Sequence, residues 1–210
     1  MTKVTVIGDT HGCHRQLKLQ PGNILIHTGD VTAYGLETEV LDFIDWFEKQ
    51  PFEHKVFIAG NHDLWIESNY SLIMQILPKT VFYLQNDSIC IDGLNIFGSP
   101  ASPDFFGMAF NYNRASELDE VWSNVPEHTD ILITHTPPKG YLDNGRGCAH
   151  LSNRVLHLQP AYHLFGHIHE AYGVYRAENT TYVNAALCNL PDFVAITEYE
   201  IVNQEWTFNL

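Results

Sequence analysis

The residues that could do chemistry in this 210-residue chain occur in short polar clusters, each preceded by an apolar run. In the first cluster, Asp9 and His11 follow the apolar residues 4–7 and Gly8. A buried strand that stops at a glycine presents polar groups at a sheet edge, and residues two apart in extended chain point to the same side. A carboxylate and an imidazole aimed at one point could hold a divalent cation. Taken alone, the pair fits an ordinary strand-end turn as well.

Four more polar clusters follow predicted strands. They are Gly29-Asp30, Gly60-Asn61-His62-Asp63, His135 and Gly166-His167-x-His169. Since ligands of α/β sheets bind outside the carboxyl ends of the strands, we expect the clusters to converge. Their candidate metal ligands are two carboxylates, one amide and four imidazoles, with His62 to spare. This donor set exceeds the need of one tetrahedral ion and suits two ions that share a carboxylate, with Mn, Fe, Zn or Mg favoured because no thiolate is present.

Alternating strand and helix patterns indicate a layered α/β domain with a mixed sheet. Strands are predicted at 23–27, 55–59, 81–84, 88–91, 94–97, 130–134 and 161–165, and helices at 37–50, 69–77, 115–124 and 148–158. A turn at Asp92-Gly93 predicts antiparallel pairing around it. Residues 99–114 are predicted to form a long functional loop, and residues 172–208 to form three or four antiparallel strands.

Composition predicts one domain, residues 1–210, because 45% hydrophobic content supports one sizeable core and no linker is visible. The net charge of −14 opposes binding of polymeric DNA or RNA. The net charge does not exclude a small phosphorylated substrate, since a metal cluster can make the local electrostatic potential positive. No signal peptide and no apolar stretch of about 18 residues is visible, so we expect a cytoplasmic protein without a membrane partner. The four cysteines form no CxxC pair and are interpreted as free thiols.

The clusters GDTH, GD, GNHD, TH and GHIH, in this order over residues 4–169, resemble the calcineurin-like metallophosphoesterase superfamily. The stretches THTPPKGYLD (134–143), FGHIHEAYGVY (165–175) and IFGSPASP followed by FNYNR are similar to its metallophosphoesterase-domain-containing (MPPED-like) branch. The resemblance implies an α/β fold, a four-layer αββα sandwich of two mixed β-sheets flanked by helices. It also implies two divalent ions per chain, with Mn most expected. By motif position Asp9, His11, Asp30 and His169 would hold the first ion, and Asp30, Asn61, His135 and His167 the second.

His62 and Asp63 admit several interpretations. His62 could be a ligand, a structural partner of Asp63 or a general acid, and Asp63 could cap the following segment. We favour His62 as the general acid because the ligand set is complete without it, with Asp63 as the catalytic carboxylate beside it. Adjacent side chains diverge in extended chain, which predicts that Asn61 and His62 do not reach the same metal.

Three loop residues could contact a substrate phosphate: Asn111, Arg114 and Arg146. Solvated loop side chains are the competing interpretation for all three. The GDxVDRG motif of protein serine/threonine phosphatases is absent, because Asp30 is followed by Val-Thr-Ala-Tyr-Gly. Protein phosphatase activity is therefore not expected.

The resulting prediction is a phosphodiesterase that hydrolyses a small phosphodiester, such as a cyclic nucleotide, by in-line attack of a metal-bridging hydroxide. His62 would protonate the departing oxygen, since an imidazole exchanges protons near neutral pH. A phosphomonoesterase is the alternative, although the extra charge of a monoester calls for Arg or Lys, which the motifs lack. A non-catalytic metal-binding scaffold is the third. The expected partner is a small phosphoester, and a homodimer is compatible with the sequence.

Overall fold

The computed structural model describes residues 2–104, 106–113, 115–189 and 203–210. Its strands are β1 (Lys3–Ile7), β2 (Gly22–His27), β3 (Phe52–Phe57), β4 (Val81–Tyr83), β5 (Asp87–Ile91), β6 (Leu94–Ser99), β7 (Ser102–Pro103), β8 (Asn111–Tyr112), β9 (Ile131–Thr134), β10 (Tyr162–Phe165), β11 (Gly173–Arg176), β12 (Thr181–Asn184) and β13 (Trp206–Asn209). Its α-helices are α1 (Glu37–Glu48), α2 (Leu64–Ser68), α3 (Tyr70–Ile76), α4 (Ala115–Ser123) and α5 (Ala149–Leu158). No helix in these ranges is long and apolar enough to cross a bilayer.

Two large mixed sheets form the centre of the molecule. The first has the order β13-β1-β2-β3-β4, in which only β13 runs antiparallel to its neighbour. The second has the order β11-β12-β10-β9-β6-β5, with a parallel centre and an antiparallel pair at each edge. The predicted mixed sheet is confirmed, and the chain in fact builds two of them.

The sheets face each other across a dry layer that follows from the alternation of side chains along each strand. In β2, Ile24 and Ile26 face the other sheet, whereas Leu25 belongs to the cluster under the helices. In β9, Ile131 and Ile133 likewise face inward. Strand residues buried on both faces explain why these segments are continuous apolar runs.

Helices cover the two outer faces. Helix α1 packs Phe43 and Phe47 onto the first sheet, as the helical spacing of its apolar residues predicts. Helices α4 and α5 bury Trp122, Leu151 and Val155 against the second sheet. The layers are therefore helix, sheet, sheet and helix, and the expected four-layer αββα sandwich is confirmed.

Some sequence-based expectations for the elements are wrong. Within the long loop predicted at residues 99–114, β7 and β8 pair with each other, so part of this segment is regular structure. Helix α2 was not predicted. In the C-terminal region, strand β11 pairs antiparallel with β12, as expected, but β12 lies between β11 and β10 and runs parallel to β10, so the expectation of antiparallel pairing is wrong there. Residues 190–202, part of that region, lie outside the described residues. All four cysteines are free, as expected.

Two histidines are buried within strands, where their uncharged imidazoles form hydrogen bonds with threonine hydroxyls. His27 Nε2 lies 2.9 Å from Thr10 Oγ1, and His163 Nε2 lies 2.9 Å from Thr134 Oγ1. Both residues have no exposed surface. Burial lowers the pKa of each to about 3, because the charged imidazolium would lose its hydration.

These histidines predict a loss of stability in mild acid. In the unfolded chain these two imidazoles take up protons near pH 6.5, whereas in the folded protein they stay uncharged down to about pH 3. The free energy of unfolding therefore falls as pH decreases through that window. Each histidine should cost about 2 kcal/mol of unfolding free energy between pH 7.5 and 5. Urea unfolding of chelator-treated protein at both pH values measures this change.

His163→Gln should remove about half of the joint effect of the two histidines, whatever its stability at pH 7.5. His128→Gln is the matched control, because His128 is exposed in the folded protein. An unaltered pH slope in His163→Gln would show that this histidine does not couple to folding.

Candidate metal centre

Strands of both sheets end at one place and deliver the predicted site residues there. Asp9 follows β1, Asp30 follows β2, His135 follows β9 and His167 follows β10. Backbone hydrogen bonds join the strand-end loops: Asp9 N donates to Gly29 O (2.9 Å), His11 N to Asp30 O (3.0 Å) and Gly166 N to His135 O (3.2 Å). The clusters that lie far apart in sequence are thus brought together.

The loops that carry these residues are tightly turned rather than extended. Four site residues have left-handed backbones, with φ of 48° at Asp9, 42° at His11, 55° at Asp30 and 67° at His167. Non-glycine residues in this region cost about 1–3 kcal/mol each and persist where the surroundings fix them. The expectation that extended chain aligns Asp9 with His11 is therefore wrong, although the two side chains do meet.

The same correction applies at Asn61 and His62, which lie in a turn closed by a hydrogen bond from Asp63 N to Gly60 O (3.1 Å). Extended geometry therefore cannot separate their roles. Their contacts still differ: Asn61 Oδ1 lies 2.8 Å from His135 Nε2, whereas His62 Nδ1 lies 2.9 Å from Ala33 O.

The Asp30 carboxylate is at the centre of the cluster. Its Oδ2 lies 3.6 Å from His11 Nε2 and 3.4 Å from His135 Nε2. Its Oδ1 accepts a hydrogen bond from the His62 backbone N–H (2.8 Å). One oxygen of Asp30 therefore faces two imidazoles at once, while the other is tied to the backbone.

Three overlapping groups of donor atoms meet around Asp30. The ligand atoms of Asp9, His11 and His169 all lie within 4.8 Å of one another, as do those of Asp9, Asp30 and His135 and those of His11, Asp30 and His62. Asn61 contacts His135 of the second group. The His167 ring packs edge-on against His135, with centroids 4.9 Å apart.

Backbone carbonyls fix the orientation of the imidazoles. The Nδ1 atoms of three ligand candidates face carbonyl oxygens: His11 faces Thr32 O (3.2 Å), His135 faces Thr28 O (3.1 Å) and His169 faces Cys188 O (2.8 Å). In His11 and His169, a neutral ring that donates from Nδ1 turns the lone pair of Nε2 toward the cluster. This arrangement is the outer shell that metal-binding histidines use. Both nitrogens of His135 face acceptor oxygens, so this ring carries two protons without a metal and would lose the Nε2 proton on binding one.

The donor set fits a cation. Asp9 Oδ2 is buried and has no hydrogen-bond partner among the described residues, a costly state unless something positive faces it. His11 Nε2 and His169 Nε2 lie 3.3 Å apart, so two lone pairs face each other when both rings donate from Nδ1. A divalent ion would satisfy these atoms together.

The electrostatics show how crowded the cluster is. Burial raises the pKa of Asp9 to about 6. Burial would lower the pKa of His135, but the Asp30 and Asp9 carboxylates outweigh it and raise that pKa to about 9. Burial opposes ionisation of Asp30 as well, yet His135 and His62 hold its pKa well below the usual range. Asp30 is therefore the permanently ionised member.

Asp63 is fully buried and ties two site loops together. Its Oδ1 accepts hydrogen bonds from Thr32 N (2.9 Å) and Thr32 Oγ1 (2.7 Å), and its Oδ2 from Gly60 N (2.8 Å) and Val31 N (3.2 Å). The side chain makes no capping bond to α2, so the capping alternative is wrong. These contacts position the Asp30 and Asn61 loops; direct participation of Asp63 in catalysis stays a prediction.

The loop before α4 contributes a residue that the sequence pattern missed. Asn61 Nδ2 donates to Met108 Sδ (3.0 Å), which places Met108 beside the cluster. Asn111 donates to Ser102 Oγ (2.9 Å) and to the Ala109 carbonyl, so its amide braces the loop. Its contact with substrate stays a prediction, and Arg114 lies outside the described residues. No periodicity or motif in this segment signals Met108.

Comparisons with known proteins agree with this geometry. Residues 2–171 match the family model described as calcineurin-like phosphoesterase. The human metallophosphoesterase domain-containing protein 1 is 38% identical, with 90% of this chain and 67% of that protein covered. A UPF0046 protein of Caenorhabditis elegans is 39% identical, with 89% of this chain and 70% of that protein covered.

A solved structure shows the same fold. The protein TT1561 of Thermus thermophilus superposes with a TM-score of 0.67 at 14% identity, over 96% of this chain and 99% of that one. The sandwich places a buried cluster of carboxylates and imidazoles at its strand ends, as the metallophosphoesterase family match implies. The chain belongs to the calcineurin-like phosphoesterase family.

The glycines beside the cluster give a direct test of its packing. A Cβ at Gly166 would overlap Asp9 Oδ2. Gly166→Ala should displace the Asp9 carboxylate and weaken manganese binding about 10–100-fold, the range typical of damage to the surroundings of a metal site. Isothermal titration of the metal-free protein measures the affinity.

Gly93→Ala serves as the control, because Gly93 lies in the β5–β6 turn and no atom lies within 4 Å of an added Cβ. That variant carries backbone strain without touching the cluster. Equal manganese affinity in Gly166→Ala and the wild type would disprove the packing argument.

Proposed function

We propose that the protein is a phosphodiesterase that acts on a small phosphodiester with two divalent cations. The observation that carries the proposal is the position of Asp30 Oδ2, within 3.6 Å of His11 Nε2 and 3.4 Å of His135 Nε2. One carboxylate oxygen between two donor groups is the arrangement that a shared ligand requires. A single-ion site has no need of the second group.

The residues would divide between the ions as the motif positions of the family imply. Asp9, His11, Asp30 and His169 would hold one ion, and Asp30, Asn61, His135 and His167 the other. The oxygen and nitrogen donors suit manganese first, with iron, zinc and magnesium as alternatives. When bound, two such ions would supply Lewis-acid activation of a phosphoryl group and a more acidic water.

His62 is proposed as the general acid. Its side chain is half-buried at the mouth of the cluster, and its ring meets His11 edge-on with centroids 4.7 Å apart. The contact of Nδ1 with Ala33 O turns Nε2 the other way, where a protonated ring can donate to a departing oxygen. His62 also lies within ligand distance of His11 and Asp30, so ligation is the competing role.

Diester hydrolysis is favoured over monoester hydrolysis because the motif residues include no Arg or Lys to meet the second charge of a monoester. The filled ligand positions argue against a scaffold without activity. A cytoplasmic location, a small phosphoester partner and a homodimer belong to the same proposal.

Removing metal should lower stability. Two buried carboxylates and four imidazoles lose the cations that compensate them, and a ligand of the folded state stabilises by mass action, about 2.7 kcal/mol at a hundredfold excess over Kd. Chelation should therefore lower the melting temperature, and manganese should restore it. Calorimetry with elemental analysis of the same samples checks this, and the loaded protein should hold two ions. An unchanged melting curve after verified metal removal argues against a native metal centre.

The pair Asn61 and His62 separates ligand from acid. Asn61→Ala should weaken metal binding and hydrolysis together. His62→Ala should keep both ions and slow hydrolysis about 10²–10⁴-fold, as loss of a general acid does. The loss should be smaller for bis(p-nitrophenyl) phosphate, whose leaving group needs little protonation, than for an alkyl diester.

Metal analysis and both assays on His62→Ala decide between its two roles. Loss of an ion would make His62 a ligand. Equal slowing of both substrates, with both ions present, would exclude the general-acid role.

A further inference from the structure

The loop between β9 and α5 holds Arg146 in a defined place. Its base is closed by hydrogen bonds from Lys139 N to Cys148 O (3.0 Å) and from Cys148 N to Pro137 O (2.9 Å). Inside the loop, Asp143 Oδ2 accepts hydrogen bonds from Gly140 N (3.0 Å) and Gly147 N (3.1 Å). Arg146 N donates to Asp143 O (2.8 Å). The backbone at Arg146 is therefore fixed from within.

The loop is also fastened to the turn that carries two of the imidazoles. Asn184 is fully buried, and its Nδ2 donates to Leu142 O (3.2 Å) and to Ile168 O (2.9 Å). Ile168 lies between His167 and His169. The position of Arg146 relative to the cluster is thus set by hydrogen bonds.

The guanidinium of Arg146 pairs with Glu170, next to the turn that carries His167 and His169. Arg146 Nη2 donates to Glu170 Oε2 (2.6 Å), and Glu170 directly follows His169. The two side chains are 47% and 45% exposed.

An exposed ion pair of this kind contributes little to stability, so it can be exchanged at small cost. A guanidinium forms two parallel hydrogen bonds with a carboxylate or a phosphate, and it stays charged at any physiological pH. A cation beside the metal cluster of a strongly acidic chain would favour an anionic group that extends beyond the scissile ester.

We propose that Arg146 is a specificity residue that receives a second oxyanion of the substrate, and that Glu170 holds the guanidinium when this group is absent. The inference rests on the proposed function and narrows its substrate class to phosphodiesters that carry a further carboxylate or phosphate. The two residues act in opposition: Arg146 attracts the oxyanion, and Glu170 competes with it.

Matched ligands test the proposal on the manganese-loaded protein. Methylphosphonate has one anionic head, phosphonoacetate adds a carboxylate and methylenediphosphonate adds a second phosphonate. Isothermal titration should give the wild type a lower Kd for at least one of the two longer ligands, and the better one identifies the oxyanion. Manganese retention is measured after each titration.

Variants of the two residues should shift that affinity in opposite directions. Arg146→Gln should raise the Kd of the better ligand about 10-fold, and that of methylphosphonate less than about 2-fold. Glu170→Gln should lower the Kd of the better ligand by about 2–5-fold. Arg154→Gln is the control, because Arg154 lies in the middle of α5, pairs with Glu127 and should change neither value.

Four results would overturn the inference. Equal weakening of all ligands in Arg146→Gln would show that no second oxyanion is recognised. Weaker binding in both variants would show that the ion pair only supports the loop. Equal affinity of the wild type for the three ligands would exclude the subsite and leave the proposed function intact. A lack of binding of methylphosphonate would refute the proposed function and, with it, the inference.

Discussion

The burial of a permanently charged carboxylate, Asp30, is the constraint on which the rest of the site depends. Only 2% of this residue is exposed, and a buried charge without compensation is among the most costly features a protein can contain. The surroundings meet this cost with the His62 backbone N–H and with the imidazoles of His11 and His135. Those imidazoles are in turn held by backbone carbonyls. The geometry of the site therefore depends on the correct folding of both sheets.

The remaining polar contacts of the site hold the neighbouring loops in place around the buried Asp30 carboxylate. Asp63 holds the loop after Asp30 against the loop of Asn61, and it does so with four hydrogen bonds inside the protein. Glycine at 166 allows Asp9 to approach from the other side. Replacing any one of these residues therefore disturbs neighbours that share its partners, and effects at such positions are not additive.

Much of the fold could be predicted from local pattern. The apolar runs that end at polar clusters identified β1, β2, β9 and β10, and helical spacing identified α1. The convergence of the polar clusters followed from strand direction alone. The layered arrangement and the division of ligands came from resemblance, because periodicity does not reveal which sheet a strand joins.

The sequence pattern failed where backbone conformation is decided by tertiary contacts. Left-handed φ at Asp9 and His11 cannot be read from propensity, since aspartate and histidine adopt many conformations in turns. The same limit hid the contact between Met108 and Asn61, which joins residues 47 positions apart in a segment without periodicity. Parallel pairing of β12 was missed for a related reason, because short β-rich runs do not specify their neighbours.

The dry layer between the sheets has a consequence for the site. Asp9, Asp30 and Asn61 come from the first sheet, whereas His135, His167 and His169 come from the second. The thickness of the apolar layer, set by residues such as Ile26 and Ile133, therefore determines the distance between the donor residues of the first sheet and those of the second. Aliphatic exchanges far from any polar atom, such as isoleucine for valine, become a means of tuning the spacing of the donor atoms.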